Sequence, residues 1–418
     1  MDRIVVSGGK RLSGDVFVGG SKNAALPILL GGIVTGDVCV FWNLPRVSDV
    51  LQVLEILKML GARICFLPDG AVRVDYSTVA YGEVPAELTG GIRGSTYLLG
   101  AMLARFGRAA LRESGGCDLG DRPIDQHLLG FERLGAAVTC TQDGVFLKAA
   151  EGLRGATVPL AMPSVGATAN LLLAAATARG ETVIENAAAE PHVDALIEFL
   201  TSAGAQIFRE EGRLCILGVP HLRGVACRIV PDMIEAGTYL CMGMACGGTV
   251  RVRDVCPSHL ESLLFHLRHM GARVDCGKNH ITLIAPREYS CTAITTGPYP
   301  AFPTDLHPQM ATLFALGGRA KGEGSVRETM FFSRFRYAAE LARMGADVQV
   351  MGDTVTVRPR PLTPQKTLAP DLRGGAALLL AALATKGKSE ITGAAQIGRG
   401  YEHLEQKLRA LGARISVY

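Results

Sequence analysis

Residues 170–217 have the sequence NLLLAAATARGETVIENAAAEPHVDALIEFLTSAGAQIFREEGRLCIL. The first part is rich in Leu and Ala and apolar nearly all round, which predicts a buried helix. A short strand-like run follows, and then a more amphipathic helix that ends near Gly204, as a helix with a glycine C-cap would. The last two runs are joined by tight-turn residues and predict a β-hairpin. The stretch therefore predicts the order helix, strand, helix and two strands.

The same order recurs six times, with a period of roughly 70 residues. A signature G-A-x-[VI] follows the amphipathic helix of each copy, and its glycines are Gly61, Gly135, Gly204, Gly271, Gly345 and Gly412. A second series follows the buried helices in phase with the first, at Gly36, Gly107, Gly180, Gly247, Gly322 and Gly387. Two markers in phase through six copies predict a repeat architecture.

Six repeats divide most simply into two α/β domains of three repeats each. The sixth repeat stops after one hairpin strand, ARISVY, and the N-terminal run MDRIVVSGG can supply the other. The predicted domains are therefore residues 21–228, and residues 1–20 plus 229–418. Two connections then cross a cleft between the domains, which predicts a hinge. If the repeats of each domain lie around a local threefold axis, the starts of the buried helices gather at this cleft, where we predict the active site.

Composition excludes several classes of protein. The chain has 418 residues, of which 48% are hydrophobic and 20% charged, so it can bury a large core and is neither disordered nor collagen-like. The net charge of +4 is too small for a dedicated nucleic-acid or anionic-membrane binder, and neither partner is predicted. Eleven cysteines without a C-x-x-C pair, and an N-terminus without an apolar signal region, predict a cytoplasmic protein with reduced thiols.

The predicted buried helices begin with small or polar residues, as in GGSKNAALPILL and APDLRGGAALLLAA. Free N–H groups at a helix start attract anions, and an arginine side chain can bind a carboxylate or phosphate with two hydrogen bonds. Basic residues stand near these starts or in turn-like segments: Lys22, Arg93, Arg122, Arg334, Arg373 and Arg399. They predict a site for a phosphate- and carboxylate-bearing substrate, although each alone could be an ordinary surface charge.

Two further residues are candidates for catalysis. Cys117 lies in the glycine-rich segment ESGGCDLGDRP, where its thiol could act as a nucleophile or acid. Arg122 would favour the thiolate, whereas Asp118 and Asp121 oppose it. Asp305 precedes a predicted helix, and its carboxylate could be an N-cap, a general base for a substrate hydroxyl, or both.

Other polar residues fit structural roles. Asp232, Glu235 and Asp371 are predicted to cap helices or pair with a cleft arginine, and His127 to be a helix-face residue. The chain has no cluster of His, Cys and Asp with metal-ligand spacing, and no Walker or dinucleotide-binding glycine motif. No metal and no cofactor are predicted.

Several motifs together resemble the UDP-N-acetylglucosamine 1-carboxyvinyltransferases, a family of the EPSP synthase superfamily. The motifs are GGSKNAALPILL, GGCDLGDRPID, PSVGAT, AFPTDL, DLRGGAAL and GRGYEHLEQKLRALGA. The resemblance extends along the whole chain. It implies a two-domain inside-out α/β barrel built from six βαβαββ-type repeats, three per domain.

The resemblance also implies the reaction and its substrates. The enolpyruvyl group of phosphoenolpyruvate passes to the 3'-hydroxyl of UDP-N-acetylglucosamine through a tetrahedral intermediate, and phosphate is released. This is the first committed step of peptidoglycan synthesis and needs no cofactor.

The family's site residues carry over position by position. The catalytic residues implied are Cys117, Asp305, Lys22 and Arg399, with Cys117 also the thiol that fosfomycin alkylates. Those implied for phosphoenolpyruvate are Lys22, Asn23, Arg122, Arg334, Arg373 and Arg399. Those implied for the nucleotide sugar are Arg93, Arg122, Pro123, Ile124, Asp125, Gln126, Ser164, Val165, Gly166, Asp305 and Met330.

Two alternatives stay open at the level of sequence. One is a divergent paralogue that binds the nucleotide sugar with weak or regulatory function, and the other is enolpyruvyl transfer to shikimate 3-phosphate. The cysteine segment and the run RPIDQH argue against the second. Departures from the family pattern bear on the first, and they are Asp118, Asp121, Met162, Ala169, Met233 and Pro370.

Overall fold

The computed structural model describes residues 2–112, 115, 123–316 and 320–418. The strands are β1 (Arg3–Gly8), β2 (Gly14–Phe17), β3 (Val38–Trp42), β4 (Arg63–Phe66), β5 (Val72–Asp75), β6 (Arg108–Leu111), β7 (Ala137–Thr141), β8 (Gly144–Lys148), β9 (Thr157–Pro159), β10 (Glu181–Glu185), β11 (Gln206–Glu210), β12 (Arg213–Leu217), β13 (Ala226–Arg228), β14 (Thr249–Arg253), β15 (Arg273–Cys276), β16 (His280–Ile284), β17 (Tyr289–Ser290), β18 (Ala293–Thr295), β19 (Ala320–Lys321), β20 (Gly324–Arg327), β21 (Asp347–Met351), β22 (Thr354–Arg358), β23 (Lys366–Leu368), β24 (Gly387–Thr392) and β25 (Arg414–Val417).

The helices follow the strands in the predicted alternation. They are α1 (Lys22–Thr35), α2 (Ser48–Met59), α3 (Ala86–Thr89), α4 (Tyr97–Phe106), α5 (Asp125–Arg133), α6 (Val165–Ala175), α7 (Pro191–Ser202), α8 (Met233–Cys246), α9 (Glu261–His269), α10 (His307–Ala315), α11 (Arg336–Arg343), α12 (Leu372–Ala384), α13 (Ala395–Gly398) and α14 (Leu404–Ala410). Three short 3₁₀ helices among the described residues span Arg93–Thr96, Pro257–Leu260 and Thr304–Leu306. The α/β class predicted from the repeats is confirmed.

The chain divides into two compact units. The first unit holds the described residues from Gly20 to Val230, and the second holds the N-terminal residues up to Gly19 together with Pro231–Tyr418. Each unit contains three of the predicted repeats. The repeat order βαβαββ is clearest in the third repeat, where β9, α6, β10, α7, β11 and β12 follow one another.

Each unit has helices at its centre and sheets around them. In the first unit α1, α4 and α6 pack against one another, and in the second α8, α10 and α12 do the same. Nearly every residue of α8 and α12 is buried, because these helices are apolar on all sides. The amphipathic helices α2, α5, α7, α9, α11 and α14 keep polar faces. Helices inside and sheets outside are the inside-out arrangement that the resemblance implies.

The leading strands of two repeats are exchanged. Strand β2 precedes α1 in the chain, but it pairs in parallel with β14 in the second unit. Strand β13 precedes α8, but it pairs in parallel with β3 in the first unit. The sheet of the second repeat, in the order β6-β8-β7, has no leading strand among the described residues. The repeats are therefore alike in order along the chain and differ in how their first strands are used.

The N-terminal strand completes the last repeat. Strand β1 lies between β24 and β25 and pairs antiparallel with both, so it takes the place of the missing hairpin strand. Asp2 N–H also donates to the carbonyl oxygen of Tyr418, at 2.6 Å. The inference that the first residues supply the strand absent after ARISVY is confirmed.

The glycines of the repeat signature follow the amphipathic helices in a conformation that disfavours other residues. Gly61, beyond the end of α2, has a φ of 101°, in the left-handed region, and its five counterparts also have positive φ. No helix among the described residues has both the length and the apolar character needed to cross a bilayer.

Candidate active site

Four of the buried helices, α1, α6, α8 and α12, have a polar side chain that caps their start. In the first unit, Ser21 and Ser164 each accept a backbone N–H from the first turns of α1 and α6. In the second unit, Asp232 and Asp371 each accept two N–H groups at the starts of α8 and α12. The capping roles predicted for Asp232 and Asp371 are confirmed.

Glu235 pairs with a lysine rather than an arginine. Its buried carboxylate accepts a hydrogen bond from Lys407 Nζ at 2.6 Å and one from Gly19 N–H at 2.8 Å. Burial raises the pKa of Glu235, and the Lys407 charge opposes that shift. The contact fixes the end of the segment that leads from β2 toward the first unit.

Asp305 lies between two buried arginines in the second unit. Its Oδ1 is 2.9 Å from Arg334 Nη1, and its Oδ2 is 3.1 Å from Arg373 Nη2 and 3.2 Å from Arg373 Nε. The arginine side chains are each 4% exposed, whereas the Asp305 side chain is 24% exposed. Asp305 is not the N-cap of α10, because Leu306 holds that position without a side-chain cap. The interpretation of Asp305 as an N-cap is therefore wrong.

The two arginines keep donors that no described residue uses. Arg334 Nη1 also donates to the carbonyl oxygen of Thr304 at 2.6 Å, but its Nε has no hydrogen-bond partner. Arg373 Nη1 likewise has none. Burial alone would lower the pKa of Arg373, but Tyr401 and Asp305 outweigh it, so the pKa is raised and the guanidinium stays charged. Buried, charged donors of this kind suit an anionic ligand.

Arg399 and Met330 lie on separate loops of the second unit. Arg399 is half-buried at the end of α13, and its Nη1 donates to Gln396 Oε1 at 3.3 Å. Tyr401, two residues later, places its ring 5.4 Å from the Arg373 guanidinium. Met330 is half-buried, and its backbone N–H donates to Glu328 at 2.9 Å.

Lys22 is paired with an acid that the sequence analysis did not single out. Lys22 is the first residue of α1, and its Nζ is 3.0 Å from Asp49 Oδ2 in the first turn of α2. The side chains are 12% and 6% exposed, so the ion pair is nearly buried. Asn23 follows Lys22 and is half-buried. The sequence could have pointed to Asp49, because it is an acidic residue near the start of the second helix of the repeat that contains Lys22.

The residues implied for the nucleotide sugar come partly together in the first unit. Arg93 Nη2 donates to the carbonyl oxygen of Pro123 at 3.5 Å, and Gln126 Oε1 accepts from Met162 N–H at 3.3 Å. The other members flank the starts of α5 and α6, and they are Ile124, Asp125, Ser164, Val165 and Gly166.

The buried side chain of His127, on α5, contacts the start of α6. A Cβ placed on Gly166 would lie 2.9 Å from the His127 ring, so the ring packs against the first turn of α6. Asn170 Nδ2 is 2.8 Å from His127 Nδ1 and also donates to Thr96. Burial, with the Arg93 charge nearby, lowers the pKa of His127 to about 3. His127 is therefore a neutral structural residue of α5.

Cys117 and Arg122 lie outside the described residues, as do Asp118 and Asp121. Within the described residues, no group of three or more His, Cys, Asp and Glu side chains is arranged to hold a metal ion.

A sequence model of the family described as EPSP synthase (3-phosphoshikimate 1-carboxyvinyltransferase) matches residues 6–408. The chain belongs to the EPSP synthase family. Within this family it is 42% identical to UDP-N-acetylglucosamine 1-carboxyvinyltransferase 2 of Bacillus cereus, over 99% of this chain and 96% of the relative. It is 42% identical to UDP-N-acetylglucosamine 1-carboxyvinyltransferase 1 of Symbiobacterium thermophilum, over 99% of this chain and 95% of the relative.

Solved structures give the same fold. The enolpyruvyl transferase NikO from Streptomyces tendae is 29% identical, with a TM-score of 0.89 over 99% of this chain and 98% of that one. The EPSP synthase of Acinetobacter baumannii is 19% identical, with a TM-score of 0.75 over the full length of both chains. The inside-out α/β barrel of the EPSP synthase family is confirmed for this chain.

The buried histidine of this EPSP synthase family member gives a prediction about acid stability. In the unfolded chain a histidine has a pKa near 6.5, whereas the folded pKa of His127 is about 3. Below pH 6.5 the unfolded state binds the proton and the folded state does not, so the folded protein becomes less stable as the pH is lowered. Between pH 7.5 and pH 5 this costs about 2 kcal/mol. Denaturant unfolding at both pH values should show that His127→Gln removes this part of the loss.

The exposed His221 supplies the control. His221→Gln should leave the difference between the two pH values as it is in the unchanged protein. An equal acid sensitivity in His127→Gln and the unchanged protein would contradict the neutral, buried state of His127.

Proposed function

We propose that this chain transfers the enolpyruvyl group of phosphoenolpyruvate to the 3'-hydroxyl of UDP-N-acetylglucosamine. The observation that carries the proposal is 40–42% identity, over nearly the whole chain, to relatives named for that activity. The cluster of Asp305, Arg334 and Arg373, which we call the Asp305 cluster, supports it, since two buried arginines with unused donors suit a substrate carboxylate. The protein is then a transferase acting in the first committed step of peptidoglycan synthesis, in the cytoplasm.

The reaction is an addition followed by an elimination. The 3'-oxygen bonds to C2 of phosphoenolpyruvate, the hydroxyl proton passes to a base, and C3 takes up a proton. C3 then loses a proton again, and the bond from C2 to the phosphate oxygen breaks. The protein must supply a base, an acid, and positive charge for the phosphate and the carboxylate.

In the second unit we assign the base and the carboxylate contacts. Asp305 is the base, because its carboxylate is the partly exposed member of an otherwise buried cluster. Arg334 and Arg373 bind the substrate carboxylate through the donors that no described residue uses. Arg399 binds the phosphate, and Met330 contacts the nucleotide sugar.

In the first unit we assign contacts to the phosphate and the nucleotide sugar. Lys22 binds the phosphate, with Asn23 beside it, and Asp49 holds the ammonium group in place until then. The nucleotide sugar contacts Arg93, Pro123, Ile124, Asp125, Gln126, Ser164, Val165 and Gly166. Cys117 is the general acid at C3, and Arg122 binds the phosphate and the nucleotide sugar; both assignments rest on the resemblance of their motif.

A phosphate-release assay with purified protein tests the function. With phosphoenolpyruvate and UDP-N-acetylglucosamine, phosphate should appear with turnover. With phosphoenolpyruvate and shikimate 3-phosphate, no phosphate should appear. Release with shikimate 3-phosphate alone would reassign the acceptor, and absence of release with either acceptor would favour a binding paralogue over an enzyme.

Fosfomycin links the same assay to Cys117. Treatment should stop phosphate release and add one fosfomycin mass to the intact protein. Cys117→Asp keeps an acid without a thiol, so it should retain turnover and resist the inhibitor. Labelling that persists in Cys117→Asp would overturn the assignment of the reactive thiol.

A further inference from the structure

Glu328 is a carboxylate with no exposed surface that accepts hydrogen bonds from two separate segments of the chain. It follows β20. Its Oε1 accepts the backbone N–H groups of Met330 at 2.9 Å and Phe331 at 3.2 Å. Its Oε2 accepts from the Thr304 hydroxyl at 2.8 Å and lies 2.9 Å from His307 Nδ1. We call these residues the Glu328 cluster.

Two more side chains complete the cluster. Thr296, just after β18, donates its hydroxyl to Glu328 Oε1 at 2.9 Å. The Tyr337 hydroxyl of α11 is 2.7 Å from His307 Nε2. Glu328, His307, Thr296 and Tyr337 are buried and Thr304 is half-buried, so bulk water competes little for these bonds.

The protons of the cluster can be assigned. Burial lowers the pKa of His307, so its ring is neutral. Burial alone would raise the pKa of Glu328, but the bond from His307 and the backbone bonds hold it below the ordinary value. Glu328 is thus an anion, His307 Nδ1 donates to it, and Tyr337 donates to His307 Nε2. Each acceptor in this series of hydrogen bonds then has a donor.

The two segments held by Glu328 carry Asp305 and Arg334. Thr304 immediately precedes Asp305, and its carbonyl oxygen accepts from Arg334. Met330 and Phe331 begin the loop that reaches Arg334. One buried carboxylate therefore fixes both the proposed base and a proposed carboxylate-binding arginine. Glu328 itself cannot touch a substrate, because it has no exposed surface.

We propose that Glu328 is a positioning residue for enolpyruvyl transfer, setting the Asp305 carboxylate through Thr304 and His307 and the Arg334 loop through two backbone N–H groups. The inference rests on the proposed function, because that function assigns Asp305 and Arg334 to the substrates. A residue in this position acts on the rate of the reaction through geometry, since a small displacement of a base lowers the rate steeply.

Thr304→Val tests the link with the least disturbance. Valine fills the space of threonine but cannot donate to Glu328. We expect kcat for phosphate release with both substrates to fall about tenfold, while KM for phosphoenolpyruvate stays within about twofold. Thr304→Ser restores the hydroxyl and should return kcat to within about threefold of the unchanged protein.

Glu328→Gln tests both loops at once. The amide oxygen can still accept the two backbone N–H groups, but the amide nitrogen then faces Thr304 and His307. Both of these residues donate to Glu328 in the unchanged protein and would have to accept instead. We expect kcat to fall and KM for phosphoenolpyruvate to rise, giving a loss in kcat/KM of about thirtyfold or more. Thr304→Val affects only the segment that carries Asp305, whereas Glu328→Gln affects both segments. Comparing the two variants therefore separates the contribution of the Asp305 segment from that of the Arg334 loop.

Tyr289→Phe is the matched control. The Tyr289 hydroxyl is buried and donates to Leu313 at 2.9 Å, near the opposite end of α10 from His307. We expect Tyr289→Phe to lower the thermal midpoint of unfolding, as we also expect of Thr304→Val, and to leave kcat unchanged. If Thr304→Val loses thermal stability but keeps the kcat of the unchanged protein, the positioning role is overturned. Absence of turnover in the unchanged protein and in Tyr289→Phe would instead overturn the proposed function, and this assignment with it.

Discussion

Asp305→Asn is expected to lower kcat for enolpyruvyl transfer about a thousandfold. The amide cannot take the proton of the sugar 3'-hydroxyl. It also removes the counter-charge of two buried guanidinium groups, which lie about 3 Å from the carboxylate oxygens. Phosphate release under saturating concentrations of both substrates measures the loss. Because asparagine is nearly the same size, the substitution leaves no cavity.

A surface carboxylate provides the comparison for Asp305. Asp194 pairs with Arg209 at 2.8 Å, and its side chain is 58% exposed. Asp194→Asn should leave kcat unchanged, since exposed ion pairs contribute little. A kcat for Asp305→Asn within tenfold of the unchanged protein would show that another group is the base.

Arg373→Met is expected to lower kcat/KM for phosphoenolpyruvate by about a hundredfold to a thousandfold. Methionine keeps part of the buried aliphatic chain but loses the charge and the Nη1 donor that no described residue uses. The loss corresponds to about 3–4 kcal/mol of transition-state binding. Initial rates over a range of phosphoenolpyruvate concentrations measure it, with KM for the nucleotide sugar expected to change less than threefold.

Two further substitutions sharpen the test of Arg373. Arg373→Lys keeps the charge but not the planar fork, so it should recover only part of the loss. Arg358 pairs with Glu323 at 2.8 Å and is 58% exposed, and Arg358→Met should not alter kcat/KM. A rise in KM for the nucleotide sugar, with phosphoenolpyruvate unaffected, would contradict the assignment of Arg373 to the carboxylate.

The repeats and the helix starts could be predicted from sequence because each is a local pattern. Apolar runs, turn residues and the glycine after each amphipathic helix lie within a single repeat of roughly 70 residues. The same holds for Asp232 and Asp371, whose capping bonds reach only two or three residues ahead. The pairing of β2 with β14 and of β13 with β3 was not predicted, because no local pattern marks the partner of a leading strand, whereas the missing hairpin strand of the last repeat pointed to β1.

The contacts of the site were beyond local patterns for the same reason. Asp305 is 29 residues from Arg334 and 68 residues from Arg373, and spacing does not show that one carboxylate contacts both. Resemblance named all three residues but not the ion pairs that join them. Glu328 was not named at all, since its partners lie on separate elements and no motif contains them. Asp49 was missed although it lies in the same repeat as Lys22.

The position of β1 has a consequence for the order in which the protein can fold during translation. Its two neighbours in the sheet, β24 and β25, are translated after all the other strands described in this structure. Strand β1 therefore waits unpaired while residues 9–386 are being translated. The unit from Gly20 to Val230 has all its strands much earlier, so it can be complete while the other is still being extended. A chain that stops short of residue 387 leaves β1 without either partner strand, and its first unit still has every strand it needs.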